Sequence, residues 1–534
     1  MSWLEPFFEI LFPGDHPYGC LSLLPPLCAI TLAIATRRVV MSLLAGVIVG
    51  ALVLAGGNPI TAIAATCEDH LWKSLSNEDH LRVFVFTLGM GAMVGVMRRG
   101  GGMEQVVNKL MPLARDRRSG QLTVWFLGMI VFFDDYANSL LLGNTMRPLT
   151  DRLRISREKL AYLVDSTAAP VSGLAIVSTW VATEIGLIQS GFESLSNFEQ
   201  SVDGFSIFLA TIPYRFYVVL ALLFVPMVAI LGRDFGSMLI AEREASGATP
   251  KSEPSEQESP ADGASWHDAF WPVIVMVGVT VALIFHTGSA SDPESPPQDL
   301  LTTFGSGDTY LALVYGSLSG LLTAMTLSWS RGTLSTSQIR DSAFTGAGHV
   351  VGPLTILWVA WALSGLTTAD HLGTGEYLGG LLQNALDVRF LPTAVFILAS
   401  LIAFATGTSW GTMGILMPLV IAVVYRMLAD PGVTVTPENT IMVAAIGSVL
   451  AGAIFGDHCS PISDTTVLSS QSSGCDHIAH VRTQLPYAMV VGTVSIVFGT
   501  LPIGFGVSVW ILLPLCLVAL ALFLLTVGRR AEVA

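Results

Sequence analysis

Charge is what this 534-residue sequence lacks: 12% of its residues are Asp, Glu, Lys or Arg, against about a quarter in an ordinary soluble domain. A chain so poor in charge is excluded as a soluble globular protein. Basic residues are scarcer than acidic ones, 26 against 40, and no basic stripe runs along any segment, which excludes nucleic acid as a partner. Cysteine is also sparse. Cys20, Cys28, Cys67, Cys459, Cys475 and Cys516 form no CxxC pair and have no histidine at ligand spacing, so no disulfide framework, zinc site or cofactor is expected. A basic amino-terminal region with a small-residue cleavage site is missing too, and the first span is expected to direct insertion itself.

What is abundant is apolar: 52% of the chain, in runs far longer than a strand needs, without the alternation of an outer-membrane barrel. Eleven helical spans are expected, near Cys20 to Thr36, Val39 to Gly56, Leu81 to Met97, Leu160 to Leu187, Ser206 to Leu231, Phe270 to His286, Thr309 to Leu327, Ala343 to Thr368, Ile441 to Ser470, Tyr487 to Phe505 and Ser508 to Val527. Two more runs fit no single crossing. Leu391 to Tyr425 is 35 residues without a charge, too long for one span and short for two, and is broken by Thr406-Gly407-Thr408-Ser409. A re-entrant pair of half-helices resolves this. Gln121 to Met146, with Asp134 and Asp135 at its middle, reads the same way. If it crossed the bilayer, the cluster Arg147, Arg152, Arg154, Arg157 and Lys159 would lie opposite Arg37, Arg38, Arg98, Arg99 and Arg115 to Arg118, against the positive-inside rule. The hairpin keeps them together.

The expected fold is therefore an all-α polytopic membrane protein, an inverted-repeat secondary transporter with about 11 spans, two re-entrant helical hairpins and two broken helices. Residues 1–231 form the first repeat (hairpin 121–146, broken helix 160–187). Residues 232–268, rich in Pro, Ser and Glu, form a disordered cytoplasmic linker. Residues 269–507 form the second repeat (hairpin 391–425, broken helix 441–470), and 508–534 an additional C-terminal span. Asn138-Ser139 and Pro148-Leu149 match Thr408-Ser409 and Pro418-Leu419 at an offset of 270, and Pro170-Val171-Ser172 matches Pro461-Ile462-Ser463 at 291. The expected location is a bacterial inner membrane, amino terminus outside and carboxyl terminus cytoplasmic, with segments 193–203 and 292–298 outside.

Four polar clusters fall at hydrocarbon depth: Phe132 to Ser139, Asp165 to Trp180, Ala405 to Trp410 and Phe455 to Thr466. In the second and fourth, a Pro and several Ser/Thr interrupt the span, so the helix should unwind. Bared carbonyls, hydroxyls and carboxylates are hard oxygen ligands that replace water around Na+. A carboxylate in a poorly hydrated cavity takes up a proton readily and releases it when Na+ arrives. Competition at one carboxylate is enough for exchange. The candidates are Asp134, Asp135, Asp165, Asp457 and Asp464 with Asn138, supported by Ser139, Ser166, Thr167, Ser172, Thr408, Ser409, Ser460, Ser463 and Thr465. Asp457, Asp464 and Ser463 are the expected Na+ ligands. Plainer roles compete: Asp134 or Asp135 pairing with Arg147 or Arg152, Asp165 or Asp464 capping a helix, hydroxyls bonding back to their own helices. His458 either relays protons or, as preferred here, makes a structural hydrogen bond. No basic residue is obvious at the breaks.

FGDHCSPISDTT followed by SSGCDHIAHVRTQLPYA, together with FFDDYANSLLLGNTMRPLTDRLRISREKLAYLVDSTAAPVS, resembles the NhaC-type sodium/proton antiporter family of the ion-transporter superfamily. The resemblance implies a scaffold and a moving transport domain, elevator-like alternating access and a possible homodimer. It places Asp457, Ser460, Pro461, Ser463, Asp464 and Thr465 on the family's GD...SP.SDTT pattern, with His458-Cys459 where other members carry a basic residue. The leading expectation is a Na+/H+ antiporter and no enzyme, its partners Na+, H+ and lipid. Alternatives are a Na+-coupled carrier of a small organic anion or amino acid, an intramembrane aspartyl enzyme, and a channel.

Overall fold

The computed structural model describes residues 17–36, 38–110, 112, 114–195, 202–247, 263–290, 307–368, 370–383, 386–429 and 435–531. Among the described residues nine helices are long and apolar enough to cross a membrane, or up to eleven when each of two bent helix pairs counts as one span. The protein is an integral membrane protein, and exposed side chains such as Met41, Trp510 and Leu522 suit a lipid surround.

In the first half, helix Leu24–Thr36 and α1 (Val39–Leu54) lead to α2 (Glu78–Arg99), whose cap Asn77 accepts from the Asp79 amide. Next come α3 (Arg117–Ile130), opened by an Asp116/Ser119 capping box, α4 (Asp135–Arg152), α5 (Arg157–Leu174), α6 (Val181–Glu193), α7 (Phe216–Leu231) and α8 (Gly236–Gly247). In the second, helices His267–Ser289 and Thr309–Ser330 precede α9 (Thr336–His349), α10 (Val351–Thr367), α11 (Leu391–Thr406), α12 (Ser409–Leu428), α13 (Thr440–Cys459), α14 (Asp464–Ser473), α15 (His477–Val494) and α16 (Val509–Thr526).

The two halves make matching contacts. Helix α5 packs on α3 and α4 as α13 packs on α11 and α12, while α14 closes over α4 and α6 over α12. Each half's broken helix thus covers the other half's helix pair. Along α13, α11 runs in parallel with almost no side chain between them: a Cβ on Gly452 would stand 2.6 Å from the Phe396 carbonyl, one on Gly456 would strike the Ser400 carbonyl, and Ser460 donates to the Phe404 carbonyl at 2.9 Å. A second group of helices, α2 with α9 and Thr309–Ser330, and the latter with His267–Ser289, packs beside these.

Several expectations change. Ser206 to Leu231 is not one straight helix: Gly204–Tyr214 and α7 meet at 52° beside the Pro213 turn. Ala343 to Thr368 is the α9–α10 pair, bent by 41°. Pro170 lies inside α5, and the unwinding comes at 175–180, where Ser178 Oγ donates to the Ser172 carbonyl (2.7 Å) and accepts from the Trp180 and Val181 amides. The internal matches are displaced for the same reason. The caps of α4 and α12, Asp134 and Thr408, lie 274 positions apart, one helical turn from the 270 of the sequence match. Pro170 has no counterpart in Pro461, which sits in the break itself.

The linker begins later than expected. β1 (Arg233–Asp234) pairs with β2 (Arg529–Arg530), and α8 buries Glu242. Glu242 pairs with Arg117 at 2.5 Å and accepts from the Ser156 amide at 2.7 Å, while Asp234 pairs with Lys159 and accepts from Tyr487 Oη at 2.6 Å. Charges that are buried must be paired, and these pairs order residues 232–247. Residues 248–262 lie outside the described residues, as do 196–201 and 291–306 of the segments expected outside.

Candidate ion-binding site

The site is built from two tips and two breaks. At the first tip, Asp134 caps α4 by accepting from the Ala137 amide (2.7 Å). Asn138 Nδ2 donates to the carbonyls of Gly128 (2.9 Å), Val131 (3.1 Å) and Thr167 (3.3 Å). A bond between α4 and α3 across ten residues requires the chain to fold back at this tip. The Thr179 amide donates to the Phe133 carbonyl at 3.0 Å, docking the first tip on the first break. At the second tip, Gly407 ends α11 with φ +70° and lies against Ile462, where a Cβ would meet Ile462 at 2.7 Å. Only glycine fits there. Thr408 caps α12, accepting from the Gly411 amide, and Ser460 docks this tip on the second break. Trp180 of the first break and Trp410 behind the second tip stand 4.8 Å apart, ring to ring.

Besides Asp134 of the first tip and Glu184 of the first break, three carboxylates are deeply buried around this crossing. Asp457, near the end of α13, accepts from Thr465 Oγ1 on Oδ2 (3.3 Å), and its Oδ1 has no hydrogen-bond partner among the described residues. Ser463 and Ser409 face the same carboxylate, and Ser463 and Thr465 lie 3.2 Å apart. Asp165 is fully saturated, by Gln484 Nε2 (2.5 Å), Thr466 Oγ1 (3.1 Å) and Ser469 Oγ (3.3 Å), with His480 Nε2 at 3.5 Å. Neither oxygen of Asp135 has a hydrogen-bond partner among the described residues. A buried carboxylate left so is costly unless it holds a proton or a cation.

The other expected residues divide. Ser463, not Asp464, caps α14. Asp464 is exposed and accepts from Tyr136 Oη at 3.3 Å. Thr167 bonds back to Leu163 and Val164, but its carbonyl receives Asn138. Ser139 meets Ser469 and Ser472 of α14. Ser166 is buried beside Tyr162, and the Ser172 hydroxyl is buried with no hydrogen-bond partner among the described residues. His458 Nδ1 lies in hydrogen-bond contact with Tyr217 Oη at 2.9 Å.

Sequence reading missed Gln484, His480, Thr466 and Ser469. The first two stand four apart on α15, one face of a helix, and that spacing was visible. It also missed a basic residue at the first break. Arg215 is fully buried, pairs with Glu184 at 2.7 Å and donates to the Gly173 carbonyl at 2.5 Å. Among the described residues no three His, Cys, Asp or Glu side chains converge on a metal position. Asp134 is also reached from a cavity of about 450 Å³ lined by α2 and α9.

Residues 172–503 match the Na+/H+ antiporter family. A Haemophilus influenzae protein described as uncharacterized is 32% identical over 92% of each chain. Another from the same organism, described as an uncharacterized Na(+)/H(+) antiporter, is 34% identical over 22% of this chain and 23% of its own. The YdaH transporter of Alcanivorax borkumensis has a similar fold, with a TM-score of 0.56 at 15% identity over 85% of this chain and 91% of that one.

Proposed function

The chain belongs to the Na+/H+ antiporter family, and from that premise we propose that this secondary transporter exchanges Na+ for H+, with buried aspartates taking either ion but not both. The observation that carries the reading is Asp457 Oδ1, a buried carboxylate oxygen without a hydrogen-bond partner among the described residues, beside the hydroxyls of Ser463, Thr465 and Ser409. Those are the hard donors a dehydrated Na+ takes. Thr465 replaces Asp464 in the expected ligand set, because Asp464 is exposed and held by Tyr136. Asp135, equally unpartnered, is the second acid of the reading.

The matched contacts of the two halves support an inverted repeat, and the tip-on-break docking supports a transport unit that moves past the α2–α9 group in elevator fashion. The positive-inside rule assigns the Arg98 face to the cytoplasm of a bacterial inner membrane. A homodimer completes the reading. Reconstituted protein should alkalinise the vesicle lumen when Na+ is added outside and acidify it when Na+ is loaded inside. An internal pH that stays constant under both Na+ gradients rejects exchange.

A further inference from the structure

A second cavity, of about 600 Å³, opens at the other end of α2 from Arg98 and Arg99, and three imidazoles line it: His70, His80 and His371. His70 comes from the segment between α1 and α2, which runs as helix Pro59–Ala65, a π-helical turn Thr66–Trp72 and helix Lys73–Ser76. Turns of that kind are rare and frequently sit at functional sites. The segment is docked on α10 by Trp358 Nε1, which donates to the Leu71 carbonyl at 2.9 Å. His80 stacks on Trp361 of the same helix, ring centroids 3.5 Å apart, and its Nδ1 donates to the Ser74 carbonyl. His371 follows α10, and its ring centroid lies 6.1 Å from that of His70.

Hydrogen bonding decides which nitrogens are free. The Thr368 hydroxyl gives its one proton to the Gly365 carbonyl (2.9 Å), so its oxygen accepts from His371 Nδ1 at 3.0 Å. A neutral imidazole protonated on Nδ1 keeps its lone pair on Nε2. His70 is 9% exposed and lines the cavity, and neither of its ring nitrogens has a hydrogen-bond partner among the described residues. A buried polar group in that state is costly until a ligand meets it.

We propose that His70 and His371 hold a divalent transition-metal ion of the zinc class, through His371 Nε2 and one ring nitrogen of His70. Imidazole nitrogen suits Zn2+, Cu2+ and Ni2+, whereas Mg2+ and Ca2+ take oxygen. With Zn–N bonds of about 2.0–2.1 Å, two imidazoles on one tetrahedral ion stand roughly 5 Å apart between centroids, so the rings close by about 1 Å on binding. Thr368 orients the His371 ring from behind, as the outer partners of metal-bound histidines do. Among the described residues no third His, Cys, Asp or Glu converges there, and Asp69, next to His70, is held by Lys73 at 2.8 Å. Water therefore fills the remaining positions. The site shares no residue with the Asp457 pocket and stands apart from Na+/H+ exchange.

The test is equilibrium dialysis of the purified full chain, stripped with EDTA, against radiolabelled Zn2+. The parent should bind one ion per chain saturably, and an excess of Mg2+ should not displace it. His70→Gln and His371→Gln should each lower the affinity about tenfold or more, and Thr368→Val, which removes only the acceptor behind the His371 ring, about tenfold. His286 does not line the cavity, and His286→Gln should bind as the parent does. Zn2+ should also raise the melting temperature of the parent. It should leave that of the His70→Gln/His371→Gln double variant at its metal-free value, and a cooperative melt shows that variant folded. Absence of saturable Zn2+ binding in the parent overturns the proposal, as does binding that the double variant keeps at parental strength. Displacement by Mg2+ overturns it too, since the ligands would then be oxygens.

Discussion

The two breaks solve one problem with opposite chemistry. In each, the carbonyl one residue before the end of the first helix half is taken by a side chain from the span that follows. Gly173 receives Arg215 at 2.5 Å, and His458 receives Gln484 at 3.0 Å. The first break therefore contains a permanent cation, neutralised by Glu184. The second contains a neutral amide and, one residue earlier in the chain, an aspartate with an oxygen left over. The tips show the reverse: the first begins α4 with Asp134 and Asp135, the second begins α12 with Thr408 and Ser409. Each half thus supplies acid at one element and hydroxyls or a closed ion pair at the other. The first break holds a built-in guanidinium, and the second a carboxylate oxygen without a hydrogen-bond partner among the described residues.

The largest effect that would break this comparison is at Asp457. Asp457→Asn should abolish Na+-dependent proton movement in vesicles, at least about a hundredfold for loss of a charged ligand, whereas Asp464→Asn should stay within severalfold of the parent. Equal losses would return Asp464 to the site. Next is Arg215→Gln, which leaves Glu184 buried and unpaired and should cost about 3–5 kcal/mol, read as a fall in melting temperature. The Glu184→Gln/Arg215→Gln double variant should recover most of that stability, since the cost lies in the orphaned charge. By contrast Gln484→Leu should cost about 1–3 kcal/mol, the price of a buried carbonyl and carboxylate losing a donor. Gly407→Ala should cost about 1–2 kcal/mol from its left-handed φ, and more from the contact with Ile462.

The smallest effect lies outside the membrane, where the Asp116 carboxyl is held below the usual carboxylate range by the Ser119 amide and hydroxyl. A depressed value stabilises the fold above about pH 4, the unfolded value. That contribution is lost as the pH falls through the lower, folded value. The melting temperature of Asp116→Asn should therefore differ from the parent slightly near neutrality and converge with it in strong acid.

Much of this was legible in the chain. Length and apolarity locate the spans, because hydrocarbon demands about 20 residues per crossing, and Asp457, Ser463 and Thr465 stand out as polar residues where no solvent reaches. The exact break in the first half was not legible. Pro170 marks a position where a helix is weakened, but α5 absorbs it, and Ser178 ends the helix through bonds that only the folded break creates. Arg215 was hidden because it is a lone basic residue at the head of an apolar run, and its partners Glu184 and Gly173 are 31 and 42 positions away. Gln484 was hidden similarly, 319 positions from Asp165. The internal matches failed by a turn, since identical dipeptides in two helices fix the residue type and not the cap.

The side-chain-free contact of α11 with α13 has a mechanical meaning. With Gly452 on Phe396, Gly456 on Ser400 and Ser460 on Phe404, any side chain brought to a glycine position would set its Cβ against a peptide oxygen. The joint is keyed, so the second tip and the Asp457 pocket are held at a fixed spacing, like two faces of one casting.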